Sequence, residues 1–144
     1  MRLAFVNRDL PELTRLLDSL ELAPAPSRAR THLLGALTDG LEVFSRDEYE
    51  LVCLYATLNE DRSPRVNSDG TITLKDPAKA TEFHTEHSTL LAEEVSVELA
   101  DDKAATLLNA LNASTQCFAG TEATMLDLLA QSLENGIQEE GSTR

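Results

Sequence analysis

The sequence predicts an α+β fold that is predominantly helical, with about five helices, a long central helix and a small two- or three-stranded sheet. Leucines recur at helical spacing over most of the chain, whereas three short segments have the alternating character of strands. Aromatic residues make up only 4% of the chain, so the core is expected to be aliphatic. The chain has 144 residues, enough for one ordinary domain. We therefore expect a single domain over residues 1–137 and a flexible C-terminal tail over 138–144.

The N-terminal part predicts a strand, a helix and a connector. Residues 1–6 are a candidate strand, and a first helix is expected to begin near Asp9. Pro11 suits its opening turn, because the N–H that proline lacks would be unpaired there anyway. The apolar stripe of this helix consists of Leu13, Leu16, Leu17 and Leu20. The two prolines within residues 22–26 indicate a stiff connector, and Ser27 is a good N-cap for the next helix.

The stretch from about 28 to 57 has two interpretations. It is either one long helix, or two helices with Ser45 capping the second and Glu48 completing a capping box. Gly35 and Gly40 each weaken a helix interior by about 1 kcal/mol relative to alanine. The apolar positions nevertheless keep their phase through Ser45, whereas a break would normally reset it. We therefore favour one long helix.

The middle of the chain is expected to alternate between loop, strand and helix. Residues 58–70 are rich in turn formers, and 71–74 alternate polar and apolar residues as a half-buried strand does. Residues 65–67 are its candidate hairpin partner. The dipeptide Asp76-Pro77 is expected to open a third helix, and the alternation over 95–99 predicts a further strand.

Two more helices are expected near the C-terminus. Asp101 or Asp102 is the predicted cap of the fourth helix, and Thr121 that of the fifth. Asn135-Gly136 predicts the end of the fifth helix in the left-handed conformation that commonly terminates helices.

The charge and the cysteines restrict the class of protein. A formal net charge of −13 argues against general binding to nucleic acid or to an anionic membrane. No apolar run reaches the roughly 18 residues of a membrane span, and residues 1–6 are too short for a signal-peptide core. Cys53 and Cys117 lie in unlike contexts and are expected to be structural thiols, Cys53 buried in a helix. We therefore expect a cytoplasmic protein.

The densest polar cluster lies at residues 82–87 and contains two histidines. His84 and His87 are spaced so that they can share a helical face, and imidazole is a common zinc ligand. The zinc-protease motif has its histidines four apart with a glutamate after the first, and this pattern is absent. Residues 59–70 resemble a calcium loop only in composition. We expect no metal and no cofactor, with His84 and His87 as the weak candidates for a metal site.

Arg28 and Arg30 lie in the predicted first turn of the central helix, where cations oppose the helix dipole. Ion pairs with the many carboxylates of this chain are the favoured explanation. Contact with a second subunit or an acidic partner is an alternative, which makes these two arginines the candidate partner-binding residues. Contact with nucleic acid is the third.

Several short motifs together resemble a family of small uncharacterised proteins encoded by phages and prophages of Gram-positive bacteria. The resemblance covers about residues 1–99. It rests on Ser27-Arg28-Ala29-Arg30-Thr31, Glu48, Leu51, Tyr55-Ala56, Asn59-Glu60-Asp61, Asp69-Gly70-Thr71-Ile72 and Leu91-Ala92-Glu93-Glu94-Val95. It implies a phage or prophage origin and no catalytic residue.

Three functional hypotheses follow. The first is a non-enzymatic helical interaction or assembly protein of phage or prophage origin, which binds itself or another protein. The second is an acidic decoy that binds a host nucleic-acid-binding protein, motivated by the net charge. The third is a metal-dependent hydrolase centred on His84 and His87.

Overall fold

A computed structural model describes residues 1–142 and confirms the predicted class: within them lie five α-helices and one two-stranded antiparallel sheet. Short 3-10 turns at Asn7–Asp9 and Pro77–Lys79 precede the first and third α-helices. The elements in chain order are β1 (Arg2–Val6), α1 (Leu10–Ser19), α2 (Pro24–Tyr55), α3 (Ala80–Ala92), β2 (Glu94–Glu98), α4 (Asp101–Ala113) and α5 (Gly120–Ser142). In the described part of the chain, no helix combines the length and apolar character that crossing a membrane requires.

The chain divides into two compact units. Unit 1 comprises Met1–Leu41 together with Glu94–Arg144, and unit 2 comprises Glu42–Glu93. Helix α2 is continuous and contributes residues to both. The single domain expected over residues 1–137 stays a prediction.

Unit 1 is built on the pairing of β1 with β2, in which Leu3 lies opposite Val97 and Phe5 opposite Val95. Strand alternation turns Leu3, Phe5 and Val97 to one face, and all three are buried. Helix α5 packs against α1, α4 and β1. The core of this unit is mainly aliphatic, as the composition predicts, and includes Phe5. Its fully buried large side chains are Leu3, Leu10, Leu13, Leu16, Leu17, Leu33, Leu37, Leu107, Leu129 and Leu133.

Helix α2 is one long helix, as favoured from the phase of its apolar positions, but the predicted start was wrong. It begins at Pro24, where Ser27 N–H donates to the Ala23 carbonyl at 2.9 Å. Both prolines therefore lie in the first turn, where no intrahelical N–H bond is lost. A residue with a Cβ does not fit at position 40, because that Cβ would lie 2.9 Å from Cγ1 of Val95. Glycine is therefore kept in the helix interior despite its low helix propensity.

The strand predicted at residues 71–74 does not form, and the sheet has two strands. The segment makes only isolated bridges, which join Leu74 to Ala56 and Ile72 to Val66. Aspartates in this region bond locally instead: Asp61 accepts from Ser63 N–H, and Asp69 from Thr71 N–H, each at 3.0 Å. Such local bonds compete with a β-ladder, which explains the error.

The caps predicted for the last two helices were also wrong. The N-cap of α4 is Ala100, whose backbone is extended, and the Asp101 carboxylate accepts a bond from the Met1 ammonium at 2.9 Å. Helix α5 begins at Gly120, one residue before Thr121.

The predicted end of α5 at Asn135-Gly136 was wrong, since the helix continues to Ser142. A Cβ at Gly136 would lie 2.8 Å from Sδ of Met1 and 3.1 Å from Cδ2 of Leu3. This glycine therefore allows close packing of helix on strand rather than a helix stop. Residues 138–142 of the expected tail are helical, and residues 143–144 lie outside the described part.

Candidate functional site

His87 and His84 occupy different environments on α3. Nε2 of His87 lies 2.9 Å from Oε2 of Glu48 on α2, and its ring stacks on Phe83 with centroids 5.7 Å apart. His84 is exposed, and its ring is tilted relative to that of Phe83, with centroids 5.5 Å apart. Among residues 1–142 no three His, Cys, Asp or Glu side chains are placed so that they could hold a metal ion together. Neither His84 nor His87 therefore belongs to such a group.

The two arginines proposed to bind a partner are not equivalent. The Arg30 guanidinium donates to the carbonyls of Leu17 and Leu20, both at 2.9 Å, and to the Ser27 hydroxyl at 3.1 Å. The carboxylate partners expected for this residue are therefore replaced by carbonyls at the C-terminal end of α1, where a cation is favoured.

Arg28, in contrast, is exposed. It lines a shallow pocket of unit 1 together with Asp102 and Lys103. A role in binding a partner stays a prediction for both arginines.

Both cysteines are free thiols. Cys53 is half-buried rather than buried as predicted, and Cys117 is exposed. Near the first of them, desolvation and then the Cys53 thiol raise the pKa of Tyr49.

The most distinctive surface of unit 2 is a groove between α2 and α3, which we call the acidic groove. Its volume is about 330 Å³. It is lined by Asp47, Glu50, Leu51 and Leu54 from α2, and by Glu86, Thr89, Leu90 and Glu93 from α3 and its C-cap.

The lining residues follow the same spacing on both sides. Each set of four recurs at i, i+3, i+4 and i+7, which is one face of a helix over two turns. Glu48 bonds with His87, and Tyr55, later on α2, contacts Phe83, earlier on α3, so the two helices run in opposite directions. The acidic groove is thus formed by two antiparallel helical faces.

The acidic groove combines an apolar floor with a negative rim. Leu90 is buried and Leu51 half-buried, whereas Leu54 is 72% exposed. Four lining residues are carboxylates, and none is lysine or arginine. The remaining polar group, the Thr89 hydroxyl, donates to the Thr85 carbonyl at 3.0 Å. The groove therefore offers apolar contact and negative charge to a ligand.

An aromatic cluster lies at one end of the paired segments. The ring of Phe83 is buried between Tyr55, at 5.5 Å between centroids, and His87. Desolvation, followed by the Glu82 carboxylate, raises the pKa of Tyr55. This packing connects α3 to the last turn of α2 and so positions the groove-lining faces.

The acidic groove was not predicted from the sequence. Adjacent acidic residues such as Glu93-Glu94 do not indicate a groove, because neighbours in sequence do not share a helical face. The available signal was the recurrence of acids and leucines at helical spacing in residues 47–54 and again in residues 86–93.

Comparison with known proteins assigns a family. The chain matches the family model described as Protein of unknown function (DUF1617) over residues 1–140. The chain belongs to the DUF1617 family. The resemblance to a family of uncharacterised proteins is thereby confirmed, and the DUF1617 match extends beyond the predicted limit at about residue 99 to include α4 and most of α5. No curated protein and no solved structure matches the chain. All eight residues of the acidic groove lie within the DUF1617 match.

Proposed function

We propose that this DUF1617 protein is a non-enzymatic interaction protein that binds another protein through the acidic groove. The observation that carries the proposal is Leu54, which lies among the carboxylates of the groove and is 72% exposed, more than Val43 (47%) and Tyr49 (53%) on the same helix. Complete burial of a leucine side chain contributes about 1.5–3 kcal/mol. A partner that covers Leu54 would gain much of that energy.

The charge of the acidic groove favours a cationic partner over a second copy. Two copies that meet through this groove would bring eight carboxylates together, four from each lining. Like charges placed opposite each other at an interface are unfavourable by several kcal/mol. The same repulsion opposes nucleic acid and anionic membranes, so the proposed partner is a protein with positive charge.

The proposed setting is an assembly step of a phage or prophage, in the cytoplasm of the bacterial cell. The resemblance of segments such as residues 27–31 and 91–95 to phage-encoded proteins supports this origin. The two unpaired thiols, Cys53 and Cys117, support a reducing compartment.

Site-specific photo-crosslinking tests the proposal. A photoreactive amino acid replaces Leu54 in one variant and, as the control, the 61% exposed Val66 in another. Both positions belong to unit 2, but only Leu54 lines the acidic groove. We expect a discrete adduct with one other protein from position 54, which Glu50→Lys combined with Glu86→Lys abolishes.

Two results would contradict the proposed function. One is equal crosslinking from positions 54 and 66, and the other is crosslinking only between two copies of this chain. Light scattering on the purified protein gives its molar mass and provides the second measurement of self-association.

The acidic decoy is a narrower form of the same proposal, favoured by the four carboxylates in one groove. In that case the crosslinked partner is a nucleic-acid-binding protein, and added DNA reduces the yield of the adduct. If the yield is unchanged by DNA, the decoy is excluded while the interaction protein stands.

A further inference from the structure

We infer that the acidic groove binds an amphipathic helix that carries lysine or arginine on both sides of an apolar stripe. The inference rests on the proposed function, since it specifies the chemistry of the partner that the groove accepts. It is carried by the arrangement of apolar and charged residues on α2 and α3.

A helical ligand follows from the backbone chemistry of the groove. The walls are helical except at Glu93, the C-cap of α3, so most of their main-chain N–H and C=O groups are used within the helices. An extended peptide normally gains affinity from main-chain bonds to a sheet edge, which these walls do not offer. A helix satisfies its own main chain and needs only side-chain contacts, which is how helices bind in apolar grooves.

The length of the groove sets the length of the contact. Each wall spans seven residue steps, from Asp47 to Leu54 and from Glu86 to Glu93. At 1.5 Å per residue, each wall is about 10 Å long. A ligand helix placed along the groove would therefore contact it over roughly two turns, through apolar residues spaced at i, i+3 or i+4, and i+7.

The distribution of carboxylates determines where the ligand is charged. Asp47 and Glu50 lie on one wall, and Glu86 and Glu93 on the other, so negative charge flanks the apolar floor on both sides. A ligand helix that inserts leucine-like side chains between the walls presents its flanking positions to these carboxylates. Lysine or arginine at those positions complements the rim, whereas acidic residues are repelled.

Binding of synthetic peptides to the full-length protein tests this inference. The first probe is a peptide of about 15 residues, long enough for marginal helix formation, with leucines in one helical stripe and lysines on both sides. The second probe has the same composition in an order that destroys the stripe. In the third, glutamate replaces every lysine. Fluorescence anisotropy at constant salt measures each dissociation constant.

Matched protein variants separate groove binding from general attraction to an acidic surface. Leu54→Ser removes apolar contact from the groove, and Val66→Ser removes an exposed apolar side chain outside it. Glu50→Lys with Glu86→Lys reverses the rim, and Glu42→Lys with Glu60→Lys makes the same change of charge at exposed positions outside the groove. Since the substituted side chains are not buried, far-UV circular dichroism is expected to be unchanged.

We expect the striped lysine peptide to bind more tightly than the other two. Leu54→Ser should weaken this binding about tenfold, since burial of one leucine corresponds to at least that factor. Val66→Ser should change it less than twofold, and reversal of the rim should weaken it more than the control reversal. Equal binding of the two lysine peptides, equal effects of the paired variants, or no binding of the striped peptide would each overturn the inference. A specific adduct from position 54 would still support the proposed function in those cases, which distinguishes the two failures.

Discussion

Glu48 and His87 connect the two helices of unit 2, with Oε2 of Glu48 lying 2.9 Å from Nε2 of His87. Glu48 is adjacent to Asp47, the first lining residue of the acidic groove, and His87 is adjacent to Glu86. The bond therefore helps to set the register of the two groove walls. Because α2 continues through Ser45, Glu48 lies within the helix and does not complete a capping box. Its side chain is therefore available for the contact with α3.

The Glu48–His87 bond is expected to stabilise unit 2 modestly, because both side chains are only partly buried. We expect Glu48→Ala and His87→Ala to show a coupling of about 0.5–1.5 kcal/mol in a double-mutant cycle, the usual net value of one hydrogen bond. Urea unfolding at fixed pH measures it. The exposed pair Glu42→Ala and His84→Ala, on the same two helices, is the control, and an equal coupling there would contradict the prediction.

Gly35 and Gly40 of α2 are expected to respond in opposite directions to alanine. Nothing lies within 4 Å of a Cβ at Gly35, so Gly35→Ala should stabilise the helix by about 0.5–1 kcal/mol. A Cβ at Gly40 would lie 2.9 Å from Cγ1 of Val95. Val95 has a stiff branched side chain that cannot easily move aside, and overpacking typically costs about 1–3 kcal/mol.

Thermal unfolding of the two glycine variants gives the sign of each effect. The expected pattern is a higher Tm for Gly35→Ala and a lower Tm for Gly40→Ala. A rise of equal size in both variants would show that the packing of Gly40 against Val95 does not constrain the helix.

The sequence predicted best those elements whose side-chain pattern and local backbone agree. The leucines of α1 and the alternation over residues 95–99 are of this kind, because one face of each is buried. The prediction failed where a residue that commonly begins or ends a helix instead makes a contact with a distant part of the chain. Gly136 has the sequence context of a helix stop but allows contact with Met1 and Leu3, and Asp101 bonds the Met1 ammonium rather than capping α4.

The acidic groove could not be found from local patterns, because its two walls are separated along the chain. Residues 47–54 and 86–93 each have the pattern of an ordinary amphipathic helix with acids beside leucines. Their pairing depends on contacts such as those of Phe83 with Tyr55 and His87, which no local spacing encodes. In the same way, the position of Arg30 on the end of α1 depends on how two helices meet.

Arg30 is expected to be important for stability and Arg28 not. Arg30→Ala would leave the carbonyls of Leu17 and Leu20 without their charged donor, and we expect a loss of about 1.5–3 kcal/mol. Arg30→Lys should restore only part of it, because an ammonium lacks the planar fork that reaches both carbonyls and Ser27. The exposed Arg28→Ala is the control, with a change within about 0.5 kcal/mol. Denaturant unfolding checks all three, and equal losses for the two alanine variants would show that the carbonyl bonds contribute little.

The turns at Asp61 and Asp69 are expected to make stability depend on pH in the acidic range. Hydrogen bonds from Ser63 lower the pKa of Asp61 from its ordinary value, and those from Thr71 do the same for Asp69. A carboxyl whose pKa is lower in the folded state contributes stability that is fully present above its unfolded pKa and lost as pH falls through its folded pKa.

Replacement of both aspartates by asparagine tests that dependence. Asparagine can still accept the turn hydrogen bonds but does not titrate. The double variant Asp61→Asn and Asp69→Asn should therefore lose less stability than the wild type between pH 5 and pH 3. These values lie on either side of the ordinary aspartate pKa of about 3.9. Urea unfolding at a series of pH values measures this slope. Glu42→Gln with Glu60→Gln, at exposed positions, removes two carboxylates elsewhere in unit 2 and is the control. If the slope of the aspartate variant equals that of the wild type, the two turns do not contribute to the acid sensitivity of the fold.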